Sequence, residues 1–211
     1  MTRGRFITLE GIEGAGKSTL AVALGERLAA RGVVARATRE PGGTPLAERL
    51  RELVLQRGAE RVSPQSETLL MFAARGIHLD NLVRPALARG EWVICDRFTD
   101  ATRAYQGGGR GVDAAWIEAL AREVHAGLEP DLTLLLDLPV EVGLARARRR
   151  RGGAGGTDVD RFESEAAAFF ARVRERYLDI ARTAPQRVCV IDAAAPPEAV
   201  RAAAVDALER L

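Results

Sequence analysis

A segment near the start of the chain has the residue types and spacing of a phosphate-binding loop. Residues 11–18 fit the pattern G-x-x-x-x-G-K-S/T and stand between an apolar run and a helix-patterned stretch. Glycines let the backbone wrap closely around an anion, while amide N–H groups and the dipole of the following helix attract it. Lys17 is then expected to reach the β- and γ-phosphates of a nucleoside triphosphate, and the Ser18 hydroxyl to bind Mg²⁺. The residues expected to bind the triphosphate are Gly11, Ile12, Glu13, Gly14, Ala15, Gly16, Lys17, Ser18 and Thr19.

The loop does not identify the molecule that receives a phosphoryl group, because GTPases, motor ATPases and small-molecule kinases all contain it. Other polar segments must discriminate. Residues 38–44 (TREPGGT) follow a second apolar run, and residues 96–98 (DRF) and 105–111 (YQGGGRG) follow a third. A predicted helix between them carries residues 71–75 (MFAAR). Open parallel sheets bind ligands beyond the carboxyl ends of their strands, so these segments are expected to meet the phosphate-binding loop.

The segments between these polar residues alternate between two apolar patterns. Short apolar runs fit strands that are buried on both faces, whereas Leu20, Leu24 and Leu28 have helical spacing. The alternation predicts an α/β fold, with a parallel sheet and right-handed helical crossovers, in one domain spanning residues 1–211. The predicted strands are Phe6–Glu10, Val33–Thr38, Trp92–Asp96, Leu132–Asp137 and Val188–Ile191.

The composition is that of a globular protein with balanced charge. Of 211 residues, 47% are hydrophobic, and 31 basic residues stand against 29 acidic ones. That balance argues against a protein that coats nucleic acid, so any positive field is expected to be local. Cys95 and Cys189 lie in apolar runs and are expected to be reduced thiols rather than a disulfide. The sequence shows no secretory signal and no membrane-spanning segment, so we expect a cytoplasmic enzyme that binds no membrane.

One basic segment departs from this even distribution of charge. Arginines at positions 146 and 148–151 are followed by Gly-Gly-Ala-Gly-Gly at 152–156. Composition alone allows two interpretations, a solvated helix end followed by a flexible loop or a mobile basic flap over a phosphate site.

Taken together, these strings resemble the thymidylate kinases of bacteria over nearly the whole chain. The resemblance implies the nucleoside monophosphate kinase fold of the P-loop NTPases: three layers, a five-stranded parallel sheet flanked by helices, and a mobile arginine-rich lid at about residues 146–161. It also implies transfer of the γ-phosphoryl group of ATP to dTMP with Mg²⁺ as cofactor, and a homodimer with the helix at 71–82 near its interface. The strings that carry the resemblance are residues 6–11 (FITLEG), 39–43 (REPGG), 85–87 (PAL), 96–98 (DRF), 105–111 (YQGGGRG) and 130–133 (PDLT).

The resemblance assigns several polar residues to the phosphates and the sugar. Arg97 and Arg39 would hold the dTMP phosphate, since planar guanidinium groups suit phosphate oxygens; the alternative for each is a surface ion pair. Asp96 would face Mg²⁺ or its water shell, and the alternative is a helix cap. Glu13 would face the sugar 3′-hydroxyl and help to exclude ribonucleotides, or would instead pair with Arg97 or Lys17.

The resemblance also implies which residues contact the base. Arg75 would donate to a base carbonyl, and Thr102 and Gln106 would lie at the base edge. Many relatives have phenylalanine four residues before this arginine, whereas this chain has Met71 there and Phe72 next to it. Thymine is therefore expected to pack on Met71 or on Phe72. The residues expected to bind dTMP are Glu13, Arg39, Met71, Phe72, Arg75, Arg97, Thr102, Tyr105 and Gln106.

The remaining assignments concern the sugar, the transferred phosphoryl group and the adenine. Tyr105 would pack beneath the sugar and block a 2′-hydroxyl. Some thymidylate kinases carry an arginine within the phosphate-binding loop; this chain does not, which favours the flap interpretation of the basic segment. Asp192 lies where the family holds the adenine of ATP largely by backbone contacts, and the alternative there is a strand-to-helix turn. The residues expected to be catalytic are Lys17, Arg97, Glu13, Arg149 and Arg161.

Two other classes of protein stay open on the sequence alone. A deoxynucleoside or cytidylate kinase would share the fold, but a nucleoside kinase needs a general base, whereas the two arginines favour a monophosphate acceptor. A GTPase-like switch or an ATPase acting on a protein would need a guanine-binding Asn-Lys-x-Asp segment or a water-positioning residue, and the sequence contains no such segment. His78 and His125 fit no metal-ligand pattern and are interpreted as ordinary helix residues.

Overall fold

The computed structural model describes residues 3–56, 60–152 and 167–211, and five strands within these ranges form one parallel sheet. The strands are β1 (Phe6–Glu10), β2 (Ala35–Arg39), β3 (Trp92–Asp96), β4 (Leu132–Asp137) and β5 (Val188–Asp192). Their order across the sheet is β2-β3-β1-β4-β5, and every neighbouring pair is parallel. The predicted α/β fold with a five-stranded parallel sheet is therefore confirmed, and so are the predicted bounds of β1, β3 and β4.

The expectation that all five strands are buried on both faces is wrong for the two edge strands. Every residue of β1 is buried, because helices cover both faces of the central strands. In β2, by contrast, each residue is half-buried or exposed, and β5 is buried only at Val188 and Ile191. An edge strand has a neighbour on one side only, so polar residues such as Arg36 and Arg39 reach solvent there.

Helices connect the strands and cover the sheet. They are α1 (Lys17–Ala30), α2 (Pro45–Leu55), α3 (Pro64–His78), α4 (Arg84–Ala88), α5 (Thr99–Thr102), α6 (Ala114–His125), α7 (Val140–Gly152), α8 (Ala167–Thr183) and α9 (Pro197–Leu208), with π-helical turns at Leu79–Val83 and Arg103–Gly109. Ser63 starts α3 by accepting a hydrogen bond from the Ser66 amide at 3.0 Å. Among the described residues, no helix combines the length and the hydrophobicity needed to cross a membrane.

The register of the sheet brings the polar strand ends together. Leu9 of β1 and Arg39 of β2 both stand opposite Asp96 at the end of β3. The carboxyl ends of these strands therefore lie at one edge of the sheet, where the loop after β1 also begins. Beneath this edge, apolar side chains of α1, β4 and α8 fill the largest core cluster, including Leu24, Leu134 and Phe170. The rigid core fixes the positions from which the site residues extend.

Candidate active site

The phosphate-binding loop connects β1 to α1 and leaves the first turn of α1 open to a ligand. Gly16 occupies the N-cap position with a left-handed φ of 92°, and no side chain among the described residues caps the helix. The loop also packs closely against α7, because a Cβ atom on Gly14 would lie 2.1 Å from the carbonyl oxygen of Gly143. The amide groups of the first turn are thus directed toward an anion, and the helix dipole favours its negative charge.

Lys17 lies buried beneath this loop. Its ammonium group donates to the carbonyl oxygens of Gly11 and Ile12, at 3.0 Å each. Lys17 is the only lysine among the 31 basic residues of the sequence, and the other 30 are arginines. Lysine differs from arginine in placing a compact charge on a flexible stem, which suits this position in the loop. Burial, together with the charge of Arg97, lowers the pKa of Lys17 to about 8. Burial destabilises the charged form of Lys17, so a negatively charged phosphate group beside it would stabilise that form.

Ser18 and Asp96 form an oxygen-rich pair next to the loop. The Ser18 hydroxyl donates to the Asp96 carboxylate at 3.0 Å, which joins the start of α1 to the end of β3. Hydroxyl and carboxylate oxygens are the ligand types that Mg²⁺ prefers, and the ion usually binds through one or two protein groups plus substrate phosphates. The two residues therefore fit the predicted magnesium site by donor type and by mutual distance.

Arg97 is the centre of a polar cluster that faces the loop. It has a left-handed φ of 74° directly after β3, and its side chain reaches the loop that follows β1. The guanidinium group donates to the Gly11 carbonyl oxygen at 3.0 Å, to Glu13 at 3.0 Å, and to the hydroxyl groups of Tyr105 at 3.0 Å and Tyr177 at 3.3 Å. The salt bridge between Glu13 and Arg97, one of the two alternatives for Glu13, is present in this structure.

Glu10 is a buried carboxyl group directly behind this cluster. It accepts hydrogen bonds from the Phe98 amide and from the Tyr177 hydroxyl, at 2.7 Å each. Burial, and next the negative charge of Asp100, raise the pKa of Glu10 to about 7. Tyr177, which touches both Glu10 and Arg97, therefore links a carboxyl group that titrates near neutral pH to the arginine of the site.

The raised pKa of Glu10 predicts how stability depends on pH. Between the ordinary pKa of 4.5 and the folded value of about 7, the folded chain holds a proton that the unfolded chain has lost. The free energy of unfolding must then fall as the pH rises, by about 2–3 kcal/mol between pH 5 and pH 8. Glu10→Gln keeps an acceptor for Phe98 without a charge, so it should remove this slope and be more stable than the unmodified chain at pH 8.

Urea unfolding of both proteins across that pH range measures the effect. The exposed Glu26→Gln variant controls for the loss of a carboxyl group elsewhere. Identical slopes for Glu10→Gln and the unmodified chain would show that Glu10 ionises at its ordinary pH.

A cavity of about 240 Å³ opens between the loop, β3 and the helices α2, α3 and α5. Glu13, Lys17 and Ser18 line it at the loop, and Asp96 and Arg97 line it at the end of β3. The other residues expected to bind dTMP that line the same cavity are Arg39, Met71, Arg75, Thr102, Tyr105 and Gln106. One cleft thus contains both the residues predicted for a nucleoside triphosphate and those predicted for an acceptor nucleotide.

Met71 and Phe72 differ in position. Met71 is half-buried and lines the cavity, whereas Phe72 is buried in a separate core cluster with Val112 and Ile117. The Phe72 ring instead lies next to Arg75, with the guanidinium carbon 4.8 Å from its centroid. Of the two side chains, Met71 is therefore the one that a ligand in the cavity would touch.

Several predicted residues lie at the rim or outside this cleft. Arg39 lines the cavity but is exposed, and it forms a 3.0 Å salt bridge with Glu48. Asp192 is exposed at the end of β5 and accepts a hydrogen bond from the Ala194 amide at 2.9 Å, as in a strand-to-helix turn.

The first residues of the predicted lid are helical, since residues 146–152 form the end of α7. Arg149 and Arg150 are both exposed there, and Arg150 also lines the cavity. Arg161 lies outside the described residues, as does the rest of the predicted lid.

The cavity also contains residues that the sequence analysis did not assign, notably Glu40 and Arg51. Glu40 is buried and accepts hydrogen bonds from Arg75 at 2.7 Å and from His78 at 2.9 Å. The interpretation of His78 as an ordinary helix residue is therefore incomplete. The spacing of Arg75 and His78 could have indicated that the two side chains lie close together, because residues three apart share one face of a helix.

Glu40 and His78 also meet Cys95, and their possible ligand atoms lie within 4.8 Å of one another. Both Glu40 oxygens, however, are bonded by Arg75 and His78. Burial, and next the charge of Glu40, raise the pKa of the Cys95 thiol well above its usual range, which disfavours the thiolate that a metal needs. Within the described part of the chain, this cluster fits a hydrogen-bond network rather than a metal site.

A phosphate-binding loop and an arginine-lined pocket that share one cleft, at the carboxyl edge of a five-stranded parallel sheet, define a P-loop phosphotransferase acting on a small molecule. Comparisons with known proteins identify the family of phosphotransferases to which the chain belongs. The family model described as thymidylate kinase matches residues 9–204, and the chain belongs to the thymidylate kinase family. Members of this family are phosphotransferases that use ATP as the phosphoryl donor.

Individual relatives cover almost the whole chain. The thymidylate kinase of Alkalilimnicola ehrlichii is 55% identical over 208 residues, which is 99% of this chain and 94% of that protein. The thymidylate kinase of Pseudomonas syringae pv. syringae is 58% identical over 191 residues, covering 90% of this chain and 88% of that protein. The crystal structure of the Ehrlichia chaffeensis thymidylate kinase matches with a TM-score of 0.76 at 33% identity, covering 98% of this chain and 99% of that one.

Proposed function

We propose that this chain, as a single catalytic domain, transfers the γ-phosphoryl group of ATP to dTMP and so forms ADP and dTDP. The observation that carries the proposal is the shared cleft, which Lys17 and Ser18 line together with Arg75 and Gln106. The lining of this cavity combines cationic, hydroxyl and apolar groups, as small-molecule sites do.

The donor end of the cleft is formed by the phosphate-binding loop and α1. The loop amides and Lys17 bind the β- and γ-phosphates, with the adenine expected beside Asp192. Ser18 and Asp96 would hold Mg²⁺, which neutralises charge on the phosphates when it is bound. Arginines of the predicted lid add positive charge, and we propose Arg149 and Arg161 for this role. Arg150, which lines the cavity, joins them.

The acceptor end is formed by β3, α3 and α5. Arg97 binds the dTMP phosphate, with Arg39 at the rim, while Glu13 and Tyr105 bound the sugar. Arg75, Thr102 and Gln106 contact the base edge, and Met71 provides the apolar surface on which thymine packs.

Catalysis in this arrangement comes from position and charge. The acceptor phosphate is already anionic, so no side chain has to remove a proton from a neutral hydroxyl group. Lys17 begins α1 and Arg97 directly follows β3, and both side chains donate to the Gly11 carbonyl oxygen. They can therefore hold donor and acceptor phosphates in line and stabilise the charge that spreads over the transferred group.

The test is coupled ADP release with ATP and Mg²⁺, comparing dTMP, dUMP, dCMP, dGMP, UMP, AMP, thymidine and no acceptor. Turnover with dTMP, with dUMP a poor second, is the expected result, and omission of Mg²⁺ should abolish it. Hydrolysis of ATP that no nucleotide stimulates would leave the phosphate-binding loop in place and overturn the acceptor assignment.

We further propose that the chain forms a homodimer, with residues 71–82 and neighbouring parts of α2 and α3 at the interface. Large apolar side chains are exposed there, with Leu53 of α2 60% and Leu69 of α3 49% exposed. The two helices that carry these side chains pack against each other, and exposed apolar side chains are typical of protein–protein contacts. A second copy of the chain would cover them.

Leu69→Glu should therefore convert the dimer to a monomer at micromolar concentration, because the charge would be buried without a partner. Sedimentation or light scattering measures the mass in solution. Val22→Glu, on exposed α1, is the matched control and should stay dimeric. A dimer in both variants would place the interface elsewhere.

A further inference from the structure

Arg75 is held by several contacts, and one of its nitrogens has no hydrogen-bond partner among the described residues. Its side chain is only 3% exposed, although it lines the cavity. Nε donates to Glu40 at 2.7 Å, and Nη2 donates to the Thr102 hydroxyl at 3.1 Å. Nη1 is buried and has no hydrogen-bond partner among the described residues. The guanidinium group therefore lines the cavity with hydrogen-bonding capacity that the described residues leave unused.

Two aromatic rings fix the plane of the same guanidinium group. Its central carbon lies 4.8 Å from the centroid of Phe72 and 5.2 Å from the centroid of Phe98. Guanidinium groups stack favourably on aromatic faces, so these rings restrict how Arg75 can tilt. The hydrogen bonds to Glu40 and Thr102 then fix the rotation of the guanidinium group within that plane.

Glu40 is in turn fixed from behind by His78. The Glu40 carboxylate only accepts hydrogen bonds, because Arg75 and His78 lower its pKa despite its burial; His78 Nδ1 must therefore carry the hydrogen of their 2.9 Å contact. The other ring nitrogen, Nε2, lies 2.8 Å from the Thr38 hydroxyl. The imidazole is thus held at both ends, between β2 and the loop that follows it.

The glycine-rich loop after β2 makes room for this ring. Gly43 has a φ of 85°, and a Cβ atom there would lie 2.7 Å from His78 Nε2 and 2.5 Å from the Thr38 hydroxyl oxygen. Glycine is therefore required at position 43, since any side chain there would push the imidazole of His78 away from Glu40.

We propose that Glu40 and His78 are positioning residues for base selection, acting through Arg75. The inference rests on the proposed function, in which Arg75 contacts the base. Every guanidinium nitrogen is a donor only, so the part of Arg75 that lines the cavity presents donors to the ligand. Thymine offers a carbonyl oxygen at position 4, whereas cytosine has an amino group there that would oppose the donor. A firmly oriented Arg75 therefore favours dTMP over dCMP, and a loosened one loses that preference.

Two amide substitutions of His78 test the link between the ring and Glu40. The amide nitrogen of His78→Asn falls near the place of Nδ1 and keeps the donor to Glu40, while that of His78→Gln falls near Nε2 and keeps only the contact with Thr38. His78→Gln should raise the KM for dTMP about tenfold, the loss expected for a hydrogen bond to a charged group, and leave the KM for ATP unchanged. It should also lower the ratio of kcat/KM for dTMP over dCMP. His78→Asn should behave like the unmodified enzyme in each respect.

Thermal unfolding distinguishes positioning from general destabilisation. Thr8→Val removes a buried 2.7 Å hydrogen bond to Thr133 away from the cavity, so it should lower Tm without changing the KM for dTMP. If His78→Gln lowers Tm and leaves the KM and the dTMP preference unchanged, or if the Asn and Gln variants have the same KM, the inference is wrong.

Arg75→Lys separates this inference from the function on which it rests. Lysine keeps the charge and loses the planar fork, so the KM for dTMP should rise and the preference over dCMP should fall. If Arg75→Lys has no effect, the base site itself is misplaced and the proposed function fails there. If Arg75→Lys raises the KM and both His78 variants match the unmodified enzyme, only the positioning role of Glu40 and His78 is overturned.

Discussion

Lys17→Met should reduce kcat for dTMP phosphorylation by about a hundredfold to a thousandfold, the range that follows removal of one charge-stabilising donor. The affinity for dTMP should change little, because Lys17 contacts the phosphate-binding loop and not the residues assigned to the base. Methionine fills a similar volume without the charge, so the loop should keep its packing against α7. The loss is thus expected in the step of phosphoryl transfer rather than in the folding of the site.

The measurement combines steady-state kinetics with direct binding of dTMP by calorimetry. Since Lys17 is the only lysine, an amine-selective reagent reports on it and on the chain start alone. Its reactivity should rise through a pH of about 8, in line with the pKa of Lys17, and ATP should protect it. Equal losses of kcat and of dTMP affinity in Lys17→Met would mean that the acceptor site has been assigned to the wrong end of the cleft.

The sequence indicates a donor half of the site because the segments that form it are adjacent in the chain. The phosphate-binding loop, the strand before it and the start of α1 are contiguous, so the spacing of glycines and Lys17 contains nearly all of the geometry. The central strands are equally visible, because burial on both faces gives continuous apolar runs such as Leu132–Asp137. The edge strands were less predictable, since their position in the sheet order decides their burial, and the sequence does not contain that order.

The network behind Arg75 could not be derived from the sequence for a different reason. Glu40 and His78 are separated by 38 residues and meet only because α3 packs beside the end of β2. Each looks unremarkable by itself, a charged residue after a strand and a histidine in a helix. Their partnership depends on tertiary packing, which residue spacing within one element does not report.

The choice among the basic residues of α7 shows a third limit. Successive residues of a helix point about 100° apart, so a run of consecutive arginines presents charge in every direction. The sequence therefore predicts that one of them faces the phosphates without indicating which. In the structure Arg149 and Arg150 are both exposed, and of the two only Arg150 lines the cavity.

Arg97→Gln should lower kcat/KM for dTMP by about a thousandfold, the second large effect that the structure predicts. The substitution removes the guanidinium that would bind the acceptor phosphate. It also leaves Glu13, now 3.0 Å from Arg97, without its cation beside bound phosphates. Repulsion between that carboxylate and the substrate adds to the lost attraction, so the penalty should exceed that of a simple ion pair.

The two contributions can be separated with a second substitution. Glu13→Gln in the Arg97→Gln background removes the uncompensated negative charge, so it should restore part of dTMP binding, about tenfold if the carboxylate is the main source of repulsion. Glu13→Gln alone should instead weaken the orientation of Arg97, because Tyr105 donates to both Glu13 oxygens and shares the cluster. Glu13→Gln is therefore expected to lower the affinity for dTMP in the unmodified chain and to raise it in the Arg97→Gln background. Titration with dTMP measures both changes, after unfolding curves confirm that all variants fold. Additive losses would show that Glu13 interacts with the substrate independently of Arg97, as the sugar-contact role predicts.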